Sequence, residues 1–260
     1  MTQVVDHLVL NNHFDLATAR ELFVALGFTL TPESHHTLGS SNQLIVFGDR
    51  YLELIGVPRH GQRIRQELLD SPPGIDGLVF RSEDAAETER QLRKQGFNAL
   101  PVQHFSREVE ADGERGEARF SAVRLAPGSF TAGRVYFCQH HTPEWIWRAP
   151  WQRHENGVSA MTMLTLVTDN IDSERNEWQR LGSTNMTLQL LTRADWHDFS
   201  AGLPGLDETR RSQFAAITFT GGELSRLKQA ALRFRLPHYQ DAERLLIALP
   251  ALHTLLEFRL

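Results

Sequence analysis

The stretch Val4-Val5-Asp6-His7-Leu8-Val9-Leu10, followed by residues 15–26 and the pair Gly27-Phe28, decides the fold. The first segment has the apolar content of a β-strand, and the second carries apolar residues at helical spacing. A glycine directly after the last apolar residue is a common helix end. The unit is therefore a strand, a helix and a glycine stop.

The same unit recurs further along the chain. The strand, helix and stop are 75–80, 83–95 and Gly96 in the second copy, and 161–167, 171–181 and Gly182 in the third. A fourth copy, 215–219 then 222–232, has a less obvious stop. The spacings from His7 to Gly27, from Gly77 to Gly96 and from Met163 to Gly182 are nearly equal, which indicates duplication.

Short β-like segments follow each helix. They lie at 29–31, 44–47 and 51–57 in the first copy, and at 97–102, 118–125 and 134–141 in the second. The third copy looks truncated, because a loop-like segment, 196–211, follows the strand predicted at 187–191. Final strands are expected at 244–248 and 253–259. The pattern predicts an α+β protein built from repeated βαβββ modules.

The chain divides best at residues 143–157, a segment rich in Trp, Pro and charged residues. We expect a first half of two modules at 1–142, a linker at 143–157, and a second, truncated half at 158–260. Trp145, Trp147 and Trp151 lie in the linker, and we expect them to pack between the halves, with capping of a ligand as the alternative.

Composition excludes several classes of protein. The formal net charge is −5 and no long Lys/Arg block occurs, so nucleic acid is not expected as a partner. No apolar run is long enough to cross a bilayer and no signal peptide is recognisable, so a cytoplasmic protein is expected. The single cysteine, Cys138, allows no internal disulfide and reads as a buried thiol. Signatures of dinucleotide, P-loop, serine-hydrolase and zincin sites are absent from the sequence.

Several segments resemble a known family. They are Asp6-His7-Leu8-Val9, residues 39–45, Gly48-Asp49-Arg50-Tyr51-Leu52-Glu53-Leu54-Ile55 and Phe137-Cys138-Gln139-His140-His141-Thr142-Pro143-Glu144. Together they are similar to the glyoxalase-like domain family of the vicinal oxygen chelate superfamily, which includes glyoxalases, bleomycin-resistance proteins and extradiol dioxygenases. The resemblance implies paired modules whose sheets form a cupped, incomplete barrel with the helices outside.

The resemblance also implies a divalent metal in the cup, with ligands from the first and last strands of a module. In the first module these positions are His7 and Glu53, and strand alternation allows His7 to face inward while Asp6 faces out. Imidazole and carboxylate ligands suit iron, manganese, nickel, cobalt or zinc. A carboxylate within an apolar strand also needs a compensating partner, and Glu53 is a candidate proton-transfer base.

The sequence departs from the family pattern at the second module. Gly77 stands where a second first-strand histidine is common, so the third ligand is expected from the last strand, where His140 is the nearest imidazole. In the second half, Met163 or a neighbour matches His7. Glu257 therefore lacks a first-strand partner, and a second metal site is not expected.

Candidate substrate-binding residues are His36 and Asn42 at the mouth of the cup and Arg124 in module two, where Arg107 and Arg119 are alternatives for a substrate carboxylate.

Three functions stay open at this point. The first is a metal-dependent lyase, isomerase or dioxygenase acting on a small oxygen-chelating substrate. The second is a non-catalytic small-molecule-binding protein, and the third is a structural or regulatory protein that forms a homodimer.

Overall fold

The computed structural model describes residues 2–60 and 63–260. The helices are α1 (Leu16–Ala25), α2 (Gln66–Asp70), α3 (Ala85–Lys94), α4 (Ile171–Leu181), α5 (Arg193–Phe199) and α6 (Leu224–Arg233). The strands up to residue 140 are β1 (Thr2–Gln3), β2 (Val5–Asn11), β3 (Ser34–His35), β4 (Ser41–Phe47), β5 (Arg50–Gly56), β6 (Gly74–Arg81), β7 (Gln103–Ala111), β8 (Glu114–Arg124) and β9 (Arg134–His140). The later strands are β10 (Val158–Thr168), β11 (Ser183–Thr184), β12 (Thr187–Leu191), β13 (Ser212–Gly221), β14 (His238–Gln240), β15 (Arg244–Leu249) and β16 (Thr254–Arg259).

The first two modules share one eight-stranded sheet in the order β3-β4-β5-β2-β6-β9-β8-β7. The first strands of the two modules, β2 and β6, lie antiparallel at its centre, and each pairs in parallel with the last strand of its own module. A β-bridge between His36 and Arg107 brings the two edges of the sheet together. The sheet therefore curls into a nearly closed barrel, which confirms the predicted fold class of paired βαβββ modules.

A pseudo-twofold axis relates the first two modules, and each module has a β-bulge at the equivalent position of its first strand. The register between β2 and β6 skips Asp6 on one strand and Asp76 on the other. The same axis relates His7 to Gly77, because His7 pairs with Val79 and Val9 pairs with Gly77. Module two therefore has glycine at the position of His7.

The later modules form a six-stranded sheet in the order β12-β10-β13-β16-β15-β14. A two-stranded parallel ladder of β1 and β11 links the beginning of the chain to this part. One hydrophobic core joins α1, α3, α4 and α6 to both sheets, and in it the ring of Phe219 lies 5.5 Å from Phe28 and 5.6 Å from Phe47. The proposed boundaries at 142 and 157 stay a prediction.

Several sequence predictions of local structure are wrong. Residues 29–31 form no strand, and Thr31 instead bonds to the Leu44 backbone. Residues 97–102 contribute a single bridge at Ala99, because Pro101 has no N–H to continue a ladder, and β7 follows with charged residues on its outer face. The expected loop at 196–211 begins inside α5, which starts with a Thr192–Asp195 capping box.

The linker tryptophans do not pack between the halves. Trp151 belongs to the cluster that fills the interior of the first barrel, and Trp145 and Trp147 pack against that cluster. Two 3-10 turns, Pro143–Trp145 and Ala149–Gln152, bring them there. Over residues 2–60 and 63–260, no helix combines the length and the apolar content needed to cross a membrane.

Candidate functional site

His7 and Glu53 lie on neighbouring parallel strands inside the first barrel. Glu53 is in register with Val9, two residues beyond His7, so both side chains project from the same face of the sheet. The Nε2 atom of His7 lies 3.9 Å from Oε2 of Glu53, and the two residues are only 4% and 6% exposed. The predicted pair therefore meets within one concavity.

Asp6 contacts the ring nitrogen of His7 that is turned away from Glu53. Its Oδ1 atom lies 2.7 Å from Nδ1 of His7, and the ring stacks on Tyr51 with centroids 4.3 Å apart. This arrangement corrects the expectation that Asp6 faces outward, because the bulge at Asp6 breaks the alternation of the strand. An Nδ1–H that donates to a carboxylate leaves the Nε2 lone pair of His7 free toward Glu53.

Asp6 is a fully buried carboxylate. Burial alone raises its pKa, but contacts with His140 and His7 outweigh that effect and hold the pKa well below its usual range. Arg81 adds a partner at 3.4 Å. Asp6 therefore stays ionised and fixes the orientation of two histidines.

His36 approaches Glu53 from the sheet edge. Its Nδ1 atom lies 2.9 Å from the Ser40 hydroxyl, and its Nε2 lies 3.9 Å from Oε1 of Glu53. Burial is the main reason that the pKa of His36 falls to about 3. The ring is therefore neutral near neutral pH, and one of its nitrogens is a lone-pair donor.

Asn42 bridges Glu53 and His36. Its amide nitrogen donates to Oε1 of Glu53 at 2.6 Å and lies 3.3 Å from Nε2 of His36. Burial by itself raises the pKa of Glu53, but the two imidazoles and the Asn42 hydrogen bond bring the net pKa below the usual value. Glu53 is accordingly a carboxylate at neutral pH.

Arginines line the rest of the cavity. Arg107 is 3% exposed, donates from Nη1 to the Ser34 hydroxyl at 2.8 Å, and has no partner for its Nε among the described residues. Arg124 and Arg65 also border the cavity, whereas Arg119 is exposed on the outer face. The sequence predicts Arg124 but gives no signal for Arg65, whose segment carries no strand pattern.

His140 lies apart from this cavity. Its Nε2 contacts Oδ1 of Asp6 at 2.9 Å, and its ring lines a separate surface depression beside Trp147. By register, Tyr136 rather than His140 corresponds to Glu53, because Val79 pairs with Tyr136 as Val9 pairs with Glu53. The structure brings His7, Glu53, His36, Asn42 and Arg124 around one cavity and places His140 outside it.

The cavity is small, with a volume of about 20 Å³, and is lined by polar and aromatic side chains. Two ligand atoms that are each about 2.1 Å from a tetrahedral ion lie about 3.4 Å apart, so the 3.9 Å separation of His7 and Glu53 would have to close by about 0.5 Å to share a cation. No group of three or more His, Cys, Asp or Glu side chains is arranged to hold a metal ion in the part of the chain that the structure describes. The donor types, an imidazole and a carboxylate, are those that a divalent cation would use, and Asn42 lies between Glu53 and His36.

The corresponding carboxylate of the second half has a different environment. Glu257 is fully buried, accepts from Thr218 at 2.7 Å, and pairs with Arg244 and Arg259 at 3.1 and 3.0 Å. The register of β13 with β16 puts Ala216 where the first half has His7. Glu257 therefore serves in an ion-pair cluster.

Comparisons with known proteins agree on the family and the fold. The family model of the glyoxalase-like domain matches residues 5–182, more than half of the chain. A hypothetical protein from Staphylococcus aureus is similar in structure, with a TM-score of 0.66, 9% identity and 98% of each chain covered. No curated protein matches the sequence.

Two dioxygenase-related structures are also similar. A fusion of a xylose isomerase-like TIM barrel with 4-hydroxyphenylpyruvate dioxygenase has a TM-score of 0.58 at 13% identity, covering 99% of this chain and 49% of that one. A mutant of 4-hydroxymandelate synthase from Streptomyces coelicolor has a TM-score of 0.56 at 10% identity, with 99% and 92% covered. At these identities the likeness establishes the fold alone, and it agrees with the fold predicted from the sequence.

Proposed function

Because the chain belongs to the glyoxalase-like domain family, we propose that its first barrel carries out a divalent-metal-dependent lyase, isomerase or dioxygenase reaction on a small oxygen-chelating substrate. The observation that carries the proposal is the approach of His7 Nε2 to Glu53 Oε2 at 3.9 Å inside a closed concavity. The backing of His7 by Asp6 supports it, since histidines that bind metals usually donate their other nitrogen to such a partner.

His7 and Glu53 would hold the cation, and His36 lies close enough to join them if Asn42 turns away. The bound ion would act as a Lewis acid toward two neighbouring oxygens of the substrate. Arg107 and Arg124 would neutralise negative charge on the substrate, because neither guanidinium is fully paired within the described residues. Neutral His36 would form a hydrogen bond to the substrate, because a pKa of about 3 makes its imidazole too weak a base to take a proton efficiently near neutral pH.

Metal content tests this proposal directly. The protein is purified without chelators, loaded with Mn²⁺, Fe²⁺, Co²⁺, Ni²⁺ or Zn²⁺ in turn, and assayed for bound metal beside His7→Ala and Glu53→Gln. We expect about one ion per chain in the parent and at least a tenfold weaker affinity in each variant. His140→Ala is the matched control, because it removes a buried histidine that also contacts Asp6 but lies outside the cavity. Equal metal binding in the parent, His7→Ala and Glu53→Gln would eliminate the site.

A second candidate is non-catalytic binding of a small molecule in the same barrel. It is favoured by the residues at two module-two positions, because Gly77 and Tyr136 correspond to His7 and Glu53 and leave half of the symmetric ligand set absent. A ligand held this way would bind by burial against aromatic rings. Tight binding that persists in excess chelator, without turnover, would favour this function over metal-dependent catalysis.

A further inference from the structure

A larger cavity, about 330 Å³ in volume, lies between one end of the first barrel and the second half of the chain. Its walls come from α2, the beginning of β6, the 125–133 loop between β8 and β9, and Arg210. This volume is within the range of sites that bind small organic molecules. We refer to it as the outer chamber.

The outer chamber has a largely apolar lining. Leu100, Leu125, Phe130 and Val135 form much of its wall. Leu100 is 39% exposed and adds apolar surface to the chamber. The chamber therefore suits a hydrocarbon chain or ring, which would bind by losing contact with water.

Charged side chains lie beside this apolar wall. The lining contains three arginines and three carboxylates, which are Arg124, Arg134, Arg210, Glu67, Asp70 and Asp76. Arg134 lies 2.6 Å from Asp76 and 3.1 Å from Glu67, and Arg65 also pairs with Glu67, whereas Arg124 is 3.6 Å from Glu67. At the rim, Asp70 accepts from Gln66.

Arg124 is loosely paired: its Nη1 donates to Gln103, and the carboxylate of Glu67 lies 3.6 Å away. Its Nε is buried and has no hydrogen-bond partner in the described residues, and burial lowers its pKa. A buried guanidinium in this state favours an anion, and a carboxylate matches its planar fork. Arg124 and Tyr136 also line the inner cavity that holds His7 and Glu53, so one layer of side chains separates the two spaces.

We infer that the outer chamber binds an organic acid, with its carboxylate on Arg124 and its apolar body against the apolar wall of the chamber. This site is separate from the proposed reaction at His7 and Glu53, because Arg124 and Tyr136 stand between the two spaces. Preference for chain length or ring size would come from the volume of the outer chamber.

Binding of simple acids tests the chamber without any metal. Chelator-treated protein is titrated by calorimetry with butanoate, hexanoate, octanoate and decanoate, none of which has a second chelating oxygen pair. We expect the affinity to rise by up to about fourfold per buried methylene, then level off when the chamber is full. Arg124→Gln should weaken octanoate binding by at least about tenfold.

Ala126→Trp provides a second test, because residue 126 lines the chamber and the large ring would fill it. We expect this variant to lose the dependence on chain length, while Leu232→Trp, which adds the same ring at an exposed position of α6, retains it. Absence of octanoate binding at millimolar concentration, or binding that neither Arg124→Gln nor Ala126→Trp alters, would overturn the inference. Because metal is absent, failure here is distinct from failure of the His7–Glu53 site, which metal content reports.

Discussion

The Nε2 atom of His7 faces the Oε2 atom of Glu53 at 3.9 Å, across two parallel strands of one module. Each partner is held separately, His7 by Asp6 and Glu53 by Asn42. Neither side chain needs the other to stay in place. The gap between an imidazole and a carboxylate that are each held in place is a suitable site for a ligand. Mutation of the residues that hold them tests how much each contributes to stability.

Asn42→Ala removes the amide that donates to Glu53 at 2.6 Å. A buried carboxylate that loses a hydrogen bond is desolvated without compensation, so we expect the free energy of unfolding to fall by about 1–3 kcal/mol at neutral pH. Urea denaturation in the presence of chelator measures this change. Gln240→Ala, which truncates an exposed amide on β14, should leave stability nearly unchanged. Equal stability of Asn42→Ala and the parent would show that Glu53 does not depend on this bond.

His36 predicts a dependence of stability on pH. Its pKa in the folded state is about 3, below the unfolded value of about 6.5, so between these values the unfolded chain binds a proton that the folded chain does not. The contribution to stability is complete above pH 6.5 and is lost as the pH falls toward 3, by about 1.4 kcal/mol per pH unit.

The measurement compares unfolding of the parent and His36→Gln from pH 7 to 5 in chelator, above the range in which Asp6 and Glu53 titrate. We expect the difference in stability between the two proteins to shrink as the pH falls. His35→Gln, a change at the exposed neighbouring histidine, is the matched control and should follow the parent. Parallel curves for the parent and His36→Gln would contradict a neutral, buried imidazole.

Glu257→Gln should destabilise the protein without changing metal or ligand binding. The change removes the charge that faces Arg244 and Arg259. Because these side chains are 18% and 49% exposed, water compensates part of the loss, and we expect the free energy of unfolding to fall by about 1–3 kcal/mol. Thermal or urea unfolding gives the loss of stability, and metal titration gives the binding. The matched comparison is Glu53→Gln, for which we expect weaker metal binding. Loss of metal from Glu257→Gln in folded protein would place a ligand where we assign a structural carboxylate.

Gly77 is packed against Val9. A Cβ atom at residue 77 would lie 2.9 Å from both Cβ and Cγ2 of Val9, and a β-branched side chain inside a sheet has little room to move. We expect Gly77→Ala to lower stability by about 1–3 kcal/mol. In a Val9→Ala background the same change should cost less, so a double-mutant cycle would give a favourable coupling. Additive effects of the two changes would mean that the strands adjust without strain.

The sequence predicts the modules well because their signals are local. Apolar residues at helical spacing followed by Gly27 or Gly96 can be recognised directly in the sequence, and both glycines adopt the positive φ typical of helix ends. The pairing of His7 with Glu53 follows from strand alternation together with the family resemblance. These signals require no knowledge of which strands become neighbours.

Other features of the site depend on contacts between residues far apart in the chain and therefore could not be predicted from the sequence. The entry of His36 into the cavity depends on closure of the barrel at its bridge with Arg107, a contact between modules. The position of His140 depends on the register of β9, where Tyr136 takes the inward position related to Glu53. The bulge at Asp6 leaves no mark in the apolar pattern, since β2 is buried along its whole length and shows no alternation of polar and apolar residues that a bulge could interrupt.

The paired bulges place an aspartate at the equivalent point of both modules. Asp6 and Asp76 are the two residues that the register of β2 with β6 skips. Asp6 contacts His7 and His140, whereas Asp76 pairs with Arg134. The same backbone irregularity therefore supports two imidazoles in one module and a guanidinium in the other.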